Sequence, residues 1–487
     1  MFGRARQRTR LEAALAHAET YEAWRQIATE LDTVTGGEAW RADDTSQHYD
    51  DRALRDSLLQ LTAARRGADP LALADELHRG LHRHLHEVTD AGLYARSLVG
   101  TKRLAERYLD AAVDALNYLC DGDIGIPPSE RVRLFEREAH AVGRSALLLS
   151  GGASLGLFHI GVIRALHHAS LLPSVISGAS TGSMIAGGLC TRTPDELATV
   201  LAAPTEHVYT QVFRALSLSD IREQGVLMSQ EQLLHAIKSN MHDLTFREAF
   251  ERTGRALCMT VSPTKARQKP RLLCHLTAPD VLVTSASLAS CAIPGLFPPS
   301  ALLQRKGGEE QEYVAGERWI DGTIATDLPT ERLGRLLNVN HTIVSQTNAH
   351  LIPFTDARAR RGVVPTVTDL VASSAYTQGL QLLSVARRRA SSPGLRQVLD
   401  RVHGVAHQRF TGDITIHPAV SAWNYGIILR NASPEALGRL VREGERATWP
   451  KLHVIDAQTR ISRTLEACVA RLRAPKRSRI LTAASPP

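Results

Sequence analysis

Residues 146–188 read ALLLSGGASLGLFHIGVIRALHHASLLPSVISGASTGSMIAGG. This stretch contains one pattern twice: a short apolar run, a glycine-rich turn and a run of residues that favours a helix. The first copy predicts a buried strand at 146–149, a turn at 150–156 and a helix at 157–168. Two such units in succession predict a parallel sheet with helices packed on its faces.

The second copy carries a candidate nucleophile. It predicts a strand at 174–176 and a helix of small residues at 183–190, and the turn between them matches the G-x-S-x-G pattern. In this pattern a serine on a strained strand-to-helix turn exposes its hydroxyl, while the flanking glycines let neighbouring backbone pass closely. The serine is Ser180, and the glycines are Gly178 and Gly182. The position of the match, after a strand and before a helix, makes it more informative than the bare pentapeptide.

The first turn supplies a second requirement of acyl transfer. Successive backbone N–H groups at a helix N-terminus form a concave site that suits a developing oxyanion. The predicted donors are Gly151, Gly152 and Ala153, and Gly156 completes the turn. Two alternatives stay open for these residues alone: both turns serve only as tight connections, or the first turn binds a nucleotide phosphate.

A candidate carboxylate follows a third apolar run. Residues 318–320 predict a short strand that ends in Asp321 and Gly322. A carboxylate at the end of a strand, beside a glycine that lets the chain turn, lies where active-site residues of open parallel sheets are found. The alternative is an ordinary Asp-Gly turn without a catalytic role.

Composition predicts a large globular protein without a metal site. The chain has 487 residues, is 43% hydrophobic and can bury a large core. Six cysteines occur without a CxxC or Cys/His ligand spacing, which favours reduced thiols and a cytoplasmic location. The first residues contain no uninterrupted apolar segment, so a secretory signal is not expected. The uncharged stretches 169–191 and 281–304 are rich in Ser, Thr and Gly, and we interpret them as buried core.

The net charge indicates which kinds of surface or molecule the chain would bind. A net charge of +8 suits an acidic surface such as anionic lipid or nucleic acid. No zinc-finger, basic-aromatic or recognition-helix pattern accompanies the dispersed basic residues, so we do not expect nucleic acid as a partner.

The first 143 residues predict a helical region with one histidine cluster. Apolar residues at three- and four-residue spacing predict helices at 12–32, 51–66, 70–86, 101–121 and 129–142. The cluster consists of His78, His82, His84 and His86. His78 and His82 would share one helical face, but the sequence offers no evident third ligand, so we predict solvated or capping roles and no metal site.

One segment beyond the predicted core has the composition of an interfacial helix. Residues 369–387 carry apolar side chains between the basic clusters Arg358, Arg360, Arg361 and Arg387, Arg388, Arg389. Such a helix suits a lipid interface, where it would dock the enzyme and cover the cleft around Ser180. The alternative is a helix packed on the core with solvated arginines at its ends.

Several motifs resemble those of one known family. LLLSGGASLGLFHIGVIRAL, SGASTGS, CAIPGLFPP, WIDGTIATDLP and NVNHTIVSQTNAH resemble the patatin-like phospholipase family, in particular the branch of triacylglycerol lipases of fungal and plant lipid droplets. TYEAWRQIATELD, GLHRHL and LYARSLVGTKRL are similar to the helical domain of that branch, and GDITIHP and EGERATWPKLHVI to its C-terminal part. The resemblance covers nearly the whole chain.

The resemblance implies an α/β patatin-like three-layer fold with a central, mostly parallel sheet and helical regions at both ends. The implied domains are an N-terminal helical domain at 1–143, a catalytic domain at 144–350 and a mainly helical C-terminal extension at 351–487, a candidate lid or membrane-contact region.

The resemblance also implies a serine hydrolase with a dyad. Ser180 matches the nucleophile, Asp321 the proton acceptor, and Gly151, Gly152 and Ala153 the oxyanion hole. The implied activity is triacylglycerol hydrolysis through an acyl-enzyme, without a cofactor, at a membrane or lipid-droplet surface to which the enzyme binds peripherally. Many patatins have a third glycine in this turn where the present chain has Ala153. The sequence leaves the oligomeric state open.

Three alternatives remain at this point. One is a phospholipase A or a lysophospholipid acyltransferase on the same fold, for which His275 and Asp280 form an H-x4-D match that we interpret as a chance spacing. Another is a non-catalytic lipid-binding protein. A third is a Ser…Asp…His triad, for which His341 and His350 lie downstream of Asp321.

Overall fold

The computed structural model describes residues 2–82, 84–265, 268–322, 328–348 and 411–474. These residues form two compact units, one drawn from 1–144 and 449–487 and the other from 145–448. The hypothetical interfacial segment at 369–387 and the candidate triad residue His350 lie outside the described residues.

The first unit is helical. Its helices in the described ranges are α1 (Phe2–His17), α2 (Tyr21–Thr35), α3 (Gly37–Ala42), α4 (Asp51–Arg66), α5 (Pro70–His82), α6 (Arg103–Asp121), α7 (Pro128–Val142) and, from the C-terminal part of the chain, α19 (Leu452–Arg473). Helix α6 packs against α4, α5 and α19. It buries apolar residues at three- and four-residue spacing, among them Leu104, Tyr108 and Leu116. Burial of this stripe holds the unit together.

Two of the predicted helices differ from the structure, one by an internal break and one at its C-terminal end. The helix expected at 12–32 is two helices, because Thr20 has extended backbone and its hydroxyl accepts a hydrogen bond from the Ala23 N–H at 3.2 Å. This side-chain cap starts a new helix. The helix expected at 70–86 ends at His82, and Leu85 and His86 have left-handed backbone at φ 54° and 56°.

The second unit is built on a mixed sheet of mostly parallel strands, which confirms the predicted fold class. Its strands are β1 (Arg144–Leu149), β2 (Val175–Gly178), β3 (Ala256–Pro263), β4 (Arg271–Cys274), β7 (Trp319–Asp321), β8 (Val339–Ser345) and β9 (Ile414–Ile416). The order is β4-β3-β2-β1-β8-β9, with β7 also paired to β3. The pairs β1–β2, β2–β3 and β8–β9 are parallel, and β4 and β7 run antiparallel to β3. A separate hairpin joins β5 (Leu303–Lys306) to β6 (Glu309–Glu312).

Helices cover this sheet. They are α8 (Phe158–His168), α9 (Thr181–Thr191), α10 (Pro194–Ala202), α11 (Pro204–His207), α12 (Leu218–Gln224), α13 (Gln230–Asn240), α14 (Phe246–Thr253), α15 (Val283–Ser290), α16 (Thr330–Leu337), α17 (Ala422–Gly426) and α18 (Pro434–Thr448). Helices α8 and α18 approach each other through Gly161 and Gly444, where a Cβ would collide with the carbonyls of Val441 and Phe158. This close packing fixes the helix that follows the first glycine-rich turn.

The C-terminal helices belong to different units. Helix α18 lies in the α/β unit, and α19 lies in the helical unit. The two units therefore divide the region 351–487, whose status as a separate domain stays a prediction. Within the described ranges, no helix is both long and apolar enough to span a membrane.

Candidate active site

Ser180 lies on a strained turn between β2 and α9. Its backbone has φ 52° and ψ −128°, a conformation that is costly for a residue with a side chain and typical of functional sites. A Cβ added at Gly178 would lie 2.8 Å from Ser183 Cα, and one at Gly182 would lie 2.7 Å from the Ser150 carbonyl oxygen. Only glycines therefore fit on both sides of the serine, and the turn is as sharp as the G-x-S-x-G pattern predicts.

Hydrogen bonds fix the backbone of Ser180. Its N–H donates to the hydroxyl of Ser290 at 3.0 Å, and that hydroxyl donates to the carbonyl of Thr260 at 2.8 Å. Its carbonyl accepts from the N–H and the hydroxyl of Ser183, at 2.7 and 2.6 Å. These contacts hold the strained turn, and Ser180 itself is 5% exposed.

The first glycine-rich turn lies beside this serine turn. The Ala179 N–H donates to the Leu149 carbonyl at 3.1 Å, so β1 ends next to the serine turn. A Cβ added at Gly156 would lie 2.6 Å from Thr181 Cγ2. The two predicted site elements are thus in direct contact.

The predicted oxyanion donors occupy the start of the first turn. Ala153 has φ 49°, so each of the two turns holds one non-glycine residue in the left-handed region. Across the described residues, the N–H groups of Gly152 and Ala153 donate to no other protein group. These two N–H groups are therefore free to bind an anion in the cleft.

Asp321 is the last residue of β7 and is fully buried. Its N–H donates to the Ala292 carbonyl at 3.0 Å. The neighbouring thiol of Cys291 is buried, which raises its pKa to about 12; the charge of Asp321 adds to this effect, and hydrogen bonds from Ser183, Ser287 and Ser180 oppose it. The N–H of Ser180 donates to the Ser290 hydroxyl, so both predicted dyad residues are hydrogen-bonded to the segment 290–292.

Sequence reasoning missed one buried histidine, His159 in the first turn of α8. Its Nε2 lies 2.9 Å from the carbonyl oxygen of Ser150, and its Nδ1 lies 2.6 Å from the hydroxyl of Ser345. A carbonyl oxygen can only accept, so Nε2 carries the proton and Nδ1 accepts from the serine. A polar residue within the apolar run LFHIGVI was the available signal.

His159 also contacts residues that hold the glycine-rich turn in place. Its Nε2 is also 3.2 Å from the Thr347 hydroxyl, which donates to the carbonyl of Gly151 at 3.0 Å. The Ser150 hydroxyl donates to the same carbonyl at 2.9 Å and accepts from the Thr347 N–H at 2.8 Å. Complete burial lowers the pKa of His159 to about 4, so the imidazole is neutral at pH 7.

Comparison with known proteins identifies the family of this chain. The model of the patatin-like phospholipase family matches residues 147–333, and the model described as a domain of unknown function, DUF3336, matches residues 1–140. Triacylglycerol lipase ptl2 of Schizosaccharomyces pombe is 33% identical, with 94% of this chain and 75% of the relative covered. The chain belongs to the patatin-like phospholipase family.

Other relatives carry similar names. Triacylglycerol lipase ptl3 of the same yeast is 30% identical, with 95% of this chain and 97% of the relative covered. Triacylglycerol lipase 4 of Saccharomyces cerevisiae is 31% identical, with 90% of this chain and 50% of the relative covered. This patatin-like chain thus spans half the length of that relative and almost all of ptl3.

An apolar cavity opens beside the two turns of this patatin-like protein. Its volume is about 80 Å³. Ala153 and Thr181 line it next to the serine turn, and its wall is formed by α8, α9, α10 and residues 208–213. Aliphatic side chains dominate the wall, including Leu157, Ile160, Met184, Leu189, Val200 and Val212.

Three polar side chains in the cavity wall are bound to other protein groups. Ser154 donates to the Arg430 carbonyl at 2.6 Å, and Thr210 donates to the Ala432 carbonyl at 2.7 Å. Arg192 donates to the Asn240 carbonyl at 2.6 Å. Since these groups are already paired, the cavity favours an apolar occupant.

The other candidate histidines lie elsewhere. His341 in β8 has its Nδ1 3.1 Å from the hydroxyl of Ser145, whereas the serine turn adjoins Leu149 at the far end of β1. Four residues of strand separate these points by roughly 13 Å, which argues against a triad through His341. The ring of His275 stacks on Phe250 with centroids 4.0 Å apart.

Proposed function

We propose that this protein hydrolyses carboxylic esters of glycerolipids, with triacylglycerol as its substrate, through a Ser180/Asp321 dyad. The observation that carries the proposal is the strained Ser180 turn, which touches a turn with free N–H groups, is hydrogen-bonded like Asp321 to the segment 290–292, and borders the apolar cavity. The printed names of three relatives, all triacylglycerol lipases, support the choice of substrate.

The mechanism has two half-reactions. Ser180 Oγ attacks the ester carbonyl carbon while Asp321 accepts the hydroxyl proton, and the N–H groups of Gly152 and Ala153 stabilise the oxyanion. The proton then passes from Asp321 to the leaving alcohol, and the acyl group remains on Ser180. Water attacks the acyl-enzyme with Asp321 again as base, which releases the fatty acid. Asp321 is fully buried, so this proton transfer takes place away from bulk water.

The cavity is the proposed site of the acyl chain. A fatty acyl chain contains only carbon and hydrogen beyond the carbonyl, whereas the leaving alcohol carries ester or phosphate oxygens that would lose their hydrogen bonds to water. A mainly apolar wall, in which Ser154, Arg192 and Thr210 are already paired, therefore accepts the acyl chain and rejects the alcohol. The head of the lipid then remains outside the cavity.

The test of this function compares wild type with Ser180→Ala. A fluorophosphonate probe should label wild type only, and triolein hydrolysis should be lost in the variant while its circular dichroism spectrum is unchanged. Labelling of the variant would contradict the assignment of the nucleophile. Parallel assays with phosphatidylcholine, and with lysolipid plus an acyl donor, distinguish triacylglycerol hydrolysis from phospholipase A and acyltransferase activity.

We also propose that the enzyme binds lipid surfaces peripherally. Triacylglycerol does not dissolve in water, and the chain carries a net charge of +8 with two arginine clusters around residues 369–387. Changing Arg387, Arg388 and Arg389 together to Glu should reduce co-sedimentation with anionic vesicles at low salt while hydrolysis of a soluble short-chain ester is kept. Unchanged co-sedimentation would exclude this segment as a membrane contact.

A further inference from the structure

We propose that His78, His82 and Glu138 bind a divalent transition-metal cation of the zinc type in the helical unit. The sequence predicted no metal here because two histidines of one helix lacked a third ligand. The structure supplies that ligand from a different helix, since Glu138 lies on α7 and both histidines lie on α5.

The three side chains converge on one point. His78 and His82 are four residues apart on α5 and lie on one face, with ring centroids 4.2 Å apart. His78 Nδ1 is 3.2 Å from Glu138 Oε1, and His82 Nε2 is 3.6 Å from Glu138 Oε2. The three candidate ligand atoms lie within 4.8 Å of one another. Ligands bound at about 2.0–2.2 Å in a tetrahedron are about 3.3–3.6 Å apart, so rotamer changes that draw these atoms slightly closer together complete the site.

Glu138 is poised to receive a cation. Its side chain is 14% exposed, and its Oε2 has no hydrogen-bond donor within the described residues. Its Oε1 accepts from Arg137 at 3.1 Å. That arginine is exposed and can move aside into water, so it does not block the carboxylate.

The ligand chemistry selects the type of metal. Imidazole suits zinc, copper and nickel, whereas calcium and magnesium prefer an all-oxygen site. The two half-exposed histidines leave a fourth position open to water and give ions a path from solvent. Three protein ligands with one open position match the composition of known zinc sites.

The bound ion would link α5 to α7. These helices pack against each other in the helical unit. A cation bound to both stabilises the folded unit, because the three ligands are brought together only when it is folded. This site is independent of the proposed hydrolysis at Ser180.

The experiment titrates the full chain, freed of any histidine tag, with zinc chloride in a calorimeter. We expect one zinc per wild-type chain, a thermal midpoint that rises with zinc, and loss of both effects in His78→Ala, His82→Ala and Glu138→Gln. Affinity should fall as the pH is lowered, because protons compete with the metal for the ligand atoms. His207→Ala, which removes an exposed histidine of α11, is the matched control and should bind zinc as wild type does.

Cobalt supplies a second measurement. A tetrahedral site with nitrogen and oxygen ligands gives visible cobalt absorption that the three variants should lack. No binding by wild type, or equal binding by wild type and all three variants, which would indicate an adventitious ion only, would overturn the proposal. Circular dichroism spectra of the metal-free variants show whether each variant is folded, so that loss of a ligand can be told from loss of the fold. If a histidine variant unfolds, Glu138→Gln still tests the proposal, because it keeps the size of the side chain.

Discussion

Histidines occupy two contrasting environments in this molecule. In the α/β unit, His159 is fully buried and contacts Ser150, Ser345 and Thr347 under the glycine-rich turn. In the helical unit, His78 and His82 are about half exposed and face a single carboxylate. The same side chain is thus a neutral structural hydrogen-bonding group in one region and an accessible ligand in the other.

The difference shows that burial decides what a polar residue does. Where polar groups are withdrawn from water, each must have a defined partner, so their positions are fixed and a substitution disturbs the site they support. Where they are exposed, water replaces a lost partner at little cost. Substitutions of buried polar groups that support the two turns should therefore change catalysis, and those in the helical histidine cluster should not.

The largest effect is expected from Asp321→Asn. An amide of nearly the same shape cannot accept the Ser180 proton, so kcat should fall by roughly a thousandfold or more. Steady-state hydrolysis of p-nitrophenyl butyrate measures this, with the thermal midpoint as the check on folding.

His341→Ala is the matched control for the dyad. His341 contacts Ser145, at the end of β1 away from the serine turn, so kcat should stay within about tenfold of wild type, well short of the loss expected for a triad member. A loss equal to that of Asp321→Asn would replace the dyad with a triad.

A smaller kinetic loss should follow from His159→Phe. The phenyl ring keeps the volume but leaves the Ser150 carbonyl and the Ser345 hydroxyl without their partner, so the oxyanion turn shifts. A misplacement of about 1 Å can reduce the rate by roughly a hundredfold. We expect a lower kcat with little change in KM, and partial rescue in His159→Gln, whose amide can bond to the same oxygen. A KM effect alone would indicate a structural role without positioning.

The same histidine predicts acid sensitivity. Its pKa is about 4 in the folded protein and about 6.5 in an unfolded chain. Between these values the unfolded chain binds a proton that the folded chain does not, so the stabilisation is complete above pH 6.5 and is lost as the pH falls toward 4. The full effect is of order 3 kcal/mol in the free energy of unfolding. Urea unfolding at pH 7 and pH 5 should show that the free energy of unfolding depends less on pH in His159→Gln than in wild type. Equal dependence in both proteins would contradict a neutral imidazole at His159.

The fold was largely predictable because its signals are local. Each strand-turn-helix unit lies within about 25 residues, and small residues such as Gly178 and Gly182 mark the turns. Residues that act through long-range contacts were not predictable in the same way. Glu138 reaches His78 across 60 residues, and Ser345 reaches His159 across 186, so no spacing in the sequence indicates either pair. The helix break at Thr20 was a missed local signal, because threonine is a common cap.

Chain-length selectivity tests the apolar cavity. Val200 of α10 lines the cavity, and Val200→Trp should shorten it, whereas Ala198→Trp on the exposed face of the same helix should not. For wild type, each methylene that enters should raise kcat/KM about fourfold, from about 0.8 kcal/mol per buried CH2, until the cavity is full. The Val200→Trp variant should reach its plateau at a shorter p-nitrophenyl ester than wild type in a C4 to C16 series. If kcat/KM levels off at the same chain length in wild type and Val200→Trp, the acyl chain does not bind in this cavity.

The smallest effect is expected from the exposed cluster. The double substitution His78→Ala and His82→Ala removes two imidazoles that are about half exposed and whose partner Glu138 keeps its contact with Arg137. Exposed ion pairs of this kind contribute about 0–1 kcal/mol to stability, so without added metal the thermal midpoint should change by no more than a few degrees. Hydrolysis of p-nitrophenyl butyrate should stay within about twofold of wild type, because no step of the proposed mechanism uses these groups. The assay is run in buffer treated to remove metals and repeated with zinc. The double variant could instead keep its thermal midpoint but lose about as much activity as His159→Phe. That result would contradict the contrast between buried and exposed histidines, and it would mean that the helical unit influences the dyad.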